Sequence, residues 1–455
     1  MNKTFKVIYN RARLGMTAVS EIARSVHKKG TKTVLAVGIW GLMISGVATA
    51  ANPNFEVKIN GETVAGGSSA NAWTFDKFEG VVNDKTDVRL ELTNKGQSGV
   101  NALEAKTKDR TISGMESFTI RQNSESEKAK ENDSTLFASG EKKLTIEEVK
   151  NLDVETNSNT AIHAFGGTVA IDKAEDVSIH NSYGNAVMSQ TNDGKDGHVE
   201  IHAKNITLHS DCNNTVYGGS FQPEESGEVS INLNATDRLV ITNDTNSAVA
   251  IDNKYGNTLG KCNVTITLHG GNEVKIEATG GPKNSYGLVG YRFSADSDSS
   301  TSEIVVTSNK LVQIAGTKGS VMLGTQGASQ ASMSAKIKAP QIVLNGKVWL
   351  LSDDETKTKR KLTLNGTTTI NGEVEAASGT LAVGGETIFN KDATIGKLEG
   401  VNGKDTQLTL GNEKATISVT NENAVEGKDL TLGATGSVND ALGGDVNQLK
   451  DKFKE

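Results

Sequence analysis

Between residues 143 and 352 apolar side chains fall on every second position, in short runs broken by Asn, Asp and Gly. Period-two alternation with β-branched residues predicts strands that bury one side, and the Asn, Asp and Gly breaks predict turns. The chain also resembles itself. The clearest copies are TVAIDKAEDVSIHNSYGNAV (168–187), HVEIHAKNITLHSDCNNTV (198–216) and EVSINLNATDRLVITNDTNSAV (228–249). Their first strands place Val169, Val199 and Val229 at equal intervals, with an earlier copy at Leu144 and poorer ones at Val264 and Ile304.

Each copy contains three short strands. The expected inward residues are Val169, Ile171, Val177 and Ile179, then Ala186 and Val187 after a polar turn. In the next copies they are Val199, Ile201, Ile206 and Leu208, then Val229 and Ile231. No single copy covers its own apolar face. Stacked at about 4.8 Å per rung, equivalent residues would rest on one another and form a continuous core. Three strands and about 30 residues per coil predict an all-β fold, a right-handed parallel β-helix. The wider spacing at Val264 and Ile304 predicts surplus loop length, in GGPKNSYG and SADSDSSTS, on one side of the solenoid.

The pattern also divides the chain. Residues 51–142 are expected to hold an N-terminal cap and the first coils, and 143–352 the main repeats. The charged run 353–361 reads as a solvated loop. Shorter beats over 362–436, with Asn-Gly and Gly-Gly turns, predict a narrower solenoid. In residues 437–455 Val446, Leu449 and Phe453 fall at helical spacing after Asp445, which predicts the start of a linker helix.

The first 50 residues differ from all of this. An apolar run, Val34–Ala48, is preceded by Lys28, Lys29 and Lys32 and closes on Ala48-Thr49-Ala50. A charged region, an apolar region and a small-x-small site predict a helical signal peptide cleaved between Ala50 and Ala51. A comfortable membrane span needs about 20 residues, and the run falls short of that, which disfavours an anchor. In front lies a second basic segment that an ordinary signal peptide does not need. Its residues Asn2, Lys3, Phe5, Lys6, Val7, Ile8, Tyr9, Asn10, Ala18, Val19, Ser20, Glu21 and Ala23 closely resemble the extended signal peptide region of type V secreted proteins, the autotransporters.

The resemblance covers the first tenth of the chain. It implies passage through the Sec translocon and an outer-membrane β-barrel in a diderm bacterium, to the cell surface, the outer membrane or the medium. It also implies that the extension slows inner-membrane transport. A helix like the one expected at 437–455 leads into the barrel pore in that family. No barrel strands follow it in this sequence, which leaves open a truncated autotransporter or a two-partner-secreted exoprotein. Asn52-Pro53-Asn54 is a weak pointer to the second, because it sits against the cleavage site.

Composition narrows the function. The chain has 48 Gly, 4 Pro and 4% aromatic residues, a mix that suits repetitive β structure better than a compact enzyme. Residues 1–50 hold eight basic side chains and one acidic, so the remainder carries a net charge of −14. An acidic surface argues against nucleic acid as a partner. Two cysteines, Cys212 and Cys262, exclude a disulfide scaffold and are expected to be unpaired.

Candidate chemistry is sparse. His180 and His209 occupy equivalent positions on successive coils, and His198 and His202 share one outward strand face. A metal cluster is conceivable there, but no carboxylate falls at ligand spacing, so no metal is expected. Neither a G-x-S-x-G nor a GDSG nucleophile motif occurs. No catalytic residue and no cofactor is assigned. The expected function is a non-catalytic adhesin or surface-interaction protein that meets a host or neighbouring-cell glycan or protein. The alternatives are a polysaccharide-acting enzyme in the long turns of residues 279–302, or a two-partner-secreted exoprotein.

Overall fold

The computed structural model describes residues 5–10, 15–20, 54–68, 86–220, 226–252, 261–280, 285–293, 301–326, 332–352, 359–401, 406–411, 415, 417–419, 425–426 and 430–432. From Asn54 onward the strands belong to one sheet system whose pairings are parallel beyond the N-terminal hairpin. The chain is a β-helix-like solenoid.

Each coil has three faces. In one coil the first face lies within Lys143–Thr156, the second in the later half of that same strand, and the third in Thr160–Phe165. All three pair with the next coil, through Leu144 with Val169, Leu152 with Val177 and Ile162 with Val187. A corner separates the first two faces. It is held by Glu148 at φ 56°, with Lys173 at φ 56° and Gly114 at φ 73° at the equivalent places of adjoining coils. Farther along the corner opens into a break, and Lys261–Gly270 and Glu273–Ala278 both pair with Ser226–Asn243.

Parallel pairing stacks like on like. On the second face Leu90, Ile120, Val154, Ile179, Leu208, Ile241, Ile276, Ile314, Leu344 and Ile370 form one row. On the third face Leu103, Leu136, Ile162, Val187, Val216, Val249, Leu288, Val321, Val348 and Val374 form another. All of these are buried. Full burial of one such side chain is worth about 1.5–3 kcal/mol, and no coil achieves it without neighbours.

Val169, Ile171, Val177, Ile179, Val199, Ile201, Ile206, Leu208, Val229 and Ile231 all lie inside, at 0–2% exposure. One alignment differs from the sequence reading. Val169 pairs with Val199, but Val199 pairs with Ile231, and Val229 pairs with Gly197. The second of these coils is longer than the first by two residues. The same slip recurs where Val264 meets Ser302 and Ile266 meets Ile304. A slip of two residues keeps every side chain on its own side of the sheet, so periodicity alone does not detect it.

Three further expectations need correcting. The surplus loop length does not all project from one corner, because residues 278–286 connect the second face to the third and residues 293–301 connect the third to the first. The charged run 353–361 is not a loop throughout, since its last residues begin the strand Lys359–Ile370 and Arg360 is buried within it. In the export segment, Phe5–Asn10 and Gly15–Ser20 pair as an antiparallel hairpin and not as a helix, while the apolar run 34–48 of the expected helical signal peptide lies outside the described residues. Val, Ile, Phe and Tyr in the first of these strands favour extended backbone. The cleavage position Ala50–Ala51 and the helix expected at 437–455 lie outside the described residues.

At the N-terminal end Asn54–Ile59 pairs antiparallel with Glu62–Ser68 and with Asp87–Asn94. A short helix, α1 (Glu127–Asn132), fills one second-to-third corner, its first turn capped by the Ser126 hydroxyl accepting from the Ala129 amide. Other copies of this corner are closed by buried asparagines. Asn181 donates to the carbonyls of Ser158 and Asn185 and accepts from the amides of Tyr183 and Gly184, and Asn243 repeats the device. Such turns keep the backbone satisfied where the chain leaves the sheet.

The spacing then tightens. On the third face Val249 pairs with Leu288, whereas farther along Val374 pairs with Ala393, a step between coils roughly half as long in sequence. On the first face Leu362 pairs with Leu381, and Leu381 with Leu398.

Candidate functional site

The outward side of the second face is polar over many coils. One row runs Glu91, Arg121, Glu155, His180, His209, Thr242 and Glu277, in register through six successive pairings. At about 4.8 Å per rung this row extends roughly 30 Å. Arg121 anchors its first part, with Nη2 2.5 Å from Asp153 and Nε 2.8 Å from Glu155. Alongside, Asn157 donates to the Asn123 side chain at 2.9 Å. An open groove of about 460 Å³ follows these coils, lined by Arg89, Glu91, Arg121, Asn123, Glu155 and His180 among others.

The groove ends at a histidine cluster. His180 and His209 are register partners with ring centroids 5.0 Å apart. Contrary to the sequence reading, a carboxylate does converge on them. Asp211 places Oδ1 2.8 Å from His180 Nε2 and 2.9 Å from His209 Nε2. Asp244 Oδ2 lies 3.6 Å from His209 Nε2. The ligand atoms of His180, His209 and Asp211 lie within 4.8 Å of one another. The second strand of one coil and its following turn supply His209 and Asp211, and the coil before supplies His180.

His209 is held from behind by Thr242 in the next coil, with Nδ1 2.8 Å from Oγ1. The same arrangement recurs between His198 and Ser230 and between His269 and Thr307. His198 and His202 belong to the first face, and His202 faces Asp172 at 3.3 Å. The fold therefore does not bring them to His180 and His209.

The third face is different on its outward side. Phe137, His163, Met188, Tyr217, Ala250, Val289, Met322 and Trp349 follow one another in register. Glu104 and Glu375 stand at the two ends of this row. Met188, Tyr217, Ala250 and Val289 are buried, and Met322 and Trp349 pack against them. His163 sits edge-on to Phe137 at 5.3 Å, with Nδ1 3.1 Å from Ser134 Oγ and Nε2 3.3 Å from Gln190 Oε1. Burial drives its pKa down to about 4, so it is a neutral, structural histidine at physiological pH. The signal for this second apolar side was present in the doublets Val187-Met188, Val216-Tyr217, Val321-Met322 and Val348-Trp349, which break the alternation.

Neither cysteine forms a disulfide. Cys212 is exposed beside Asp211, and Cys262 is buried. Partial burial, then the neighbouring Asp211 charge, pushes the Cys212 thiol up from its ordinary value, which makes it a poorer nucleophile. Among the described residues no helix is long and apolar enough to cross a membrane.

Residues 1–49 match the family model described as the extended signal peptide of the type V secretion system. The chain carries a type V secretion signal. No curated protein and no solved structure matches the chain. An extended signal peptide of this system directs export across the envelope of a Gram-negative bacterium, by Sec and then an outer-membrane translocator. The hairpin Phe5–Asn10 and Gly15–Ser20 lies within that extended signal peptide. The β solenoid is therefore the exported part.

Proposed function

We propose that the exported solenoid is a non-catalytic surface-interaction protein, an adhesin-type passenger displayed at the cell surface or released from it. Its partner is a host or neighbouring-cell glycan or protein. The observation that supports this most is the unbroken polar row from Glu91 to Glu277 with the open groove beside it. Side chains in such a row are fixed by the sheet, so a partner meets a surface already ordered and the entropy cost of binding falls. Its alternating carboxylate, guanidinium, imidazole and hydroxyl groups suit a polar ligand. We read the coil as right-handed, the hand that parallel crossover connections take as a rule.

The experiment sets the exported chain against a panel of polysaccharides and matrix proteins, with product release assayed in parallel. Saturable binding without bond cleavage is expected. It should weaken when Arg121 is replaced by Glu. Release of reducing ends from any polysaccharide would overturn the non-catalytic reading.

A further inference from the structure

We infer that His180, His209 and Asp211 form a binding site for a divalent first-row transition ion, of which zinc is the simplest probe. The cluster brings two imidazole nitrogens and one carboxylate oxygen to a common point. That donor set suits zinc, copper, nickel or iron, whereas magnesium and calcium take oxygen ligands. Tetrahedral zinc holds ligand atoms at about 2.0–2.2 Å from the metal, which sets them roughly 3.3 Å from each other. Asp211 Oδ1 stands 2.8 and 2.9 Å from the two Nε2 atoms, so outward movements of a few tenths of an ångström admit the ion.

Three features make this more than a chance grouping of surface residues. His180 and His209 are fixed one rung apart by backbone pairing on both sides, not by flexible loops. The Thr242 hydroxyl at His209 Nδ1 accepts or donates as needed, and so supports the tautomer with Nδ1 protonated that a metal on Nε2 requires. Asp244 Oδ2, 3.6 Å from His209 Nε2, is near enough to complete a fourth position after a rotamer change, and water is the alternative. The side chains of His180, His209 and Asp211 are 28–41% exposed, so the ion has a path from solvent.

Without metal, both rings donate Nε2–H to Asp211. On binding, each neutral ring gives up its Nε2 proton and takes one up at Nδ1 through solvent, so two hydrogen bonds are exchanged for coordinate bonds with no net proton release and no redox step.

The test is zinc titration of the exported chain by calorimetry, with cobalt as a spectroscopic substitute that reports imidazole coordination. One high-affinity ion per chain is expected. His209→Ala and Asp211→Asn should each weaken it at least tenfold, and the His180→Ala/His209→Ala pair should abolish it. His198→Ala should leave it unchanged. The replaced side chains are part-exposed, and an unaltered metal-free unfolding transition confirms that each variant folds. Zinc binding that survives in the double variant, or no zinc binding by the unaltered chain, overturns the site. The adhesin reading does not depend on either result.

Discussion

Val229 lies in register with Gly197, while Val199 pairs with Ile231 two residues farther on. The three equally spaced valines are thus not one stack, although all are buried. Register in a parallel ladder is fixed by which residues fill the space between coils.

A Cβ on Gly197 would stand 2.3 Å from the Gln190 carbonyl oxygen and 2.9 Å from the Ser189 hydroxyl. The opposing backbone atom cannot rotate away as a side chain would. Gly197→Ala is therefore expected to destabilise the fold by about 1–3 kcal/mol. Urea unfolding monitored by circular dichroism measures it, and an unchanged midpoint would show that the contact is relieved elsewhere.

His163 sets an acid limit on this part of the solenoid. Its folded pKa is about 4, below the ordinary value of 6.5, because burial penalises the charged ring. The unfolded chain takes up the proton first, so stability is complete above pH 6.5 and is lost as the pH falls toward 4. The full difference is about 3 kcal/mol. His163→Gln should flatten the stability profile between pH 6.5 and 4, as read from thermal unfolding. Equal slopes in the two proteins would contradict this.

Asp133 acts with the opposite sign. Burial raises its pKa, opposed by donation from Asn94, Ser124 and the Val100 amide. The folded chain therefore holds this proton more tightly than the unfolded one. Its contribution favours folding at low pH and declines as the pH rises from 3.8 through the raised value. Removal is nonetheless costly, since Asp133→Ala strands three buried donors and should cost about 3 kcal/mol at neutral pH. Asp133→Asn keeps the volume and one acceptor oxygen, and should cost less. Chemical unfolding of both variants decides the order.

The first and second faces were legible because each buries one side, and Val177-x-Ile179 or Ile206-x-Leu208 announces that directly. The third face was half legible. Its inward Val187 and Val216 were readable, but Met188 and Tyr217 beside them pack on a second apolar layer, which two-sided burial writes as doublets. The pairing of His180 with His209 followed from aligning the copies. Asp211 was missed, although residues two apart on a strand share a side and His209-x-Asp211 has that spacing. The two-residue slips at Val229 and Ser302 left no trace in the alternation, because an even shift preserves it.

The step between successive rungs, 25 residues from Ile162 to Val187 and 19 from Val374 to Ala393, shortens toward the C-terminal end. A smaller girth gives each turn fewer apolar atoms to share with its neighbours, while the entropy lost per ordered residue stays the same. Heat or tension should therefore loosen the slender end first and leave the broad middle, with its histidine pair, wound until last. Amide exchange would then quicken steadily toward the slender end, so the object wears like a tapered spring and not like a uniform rod.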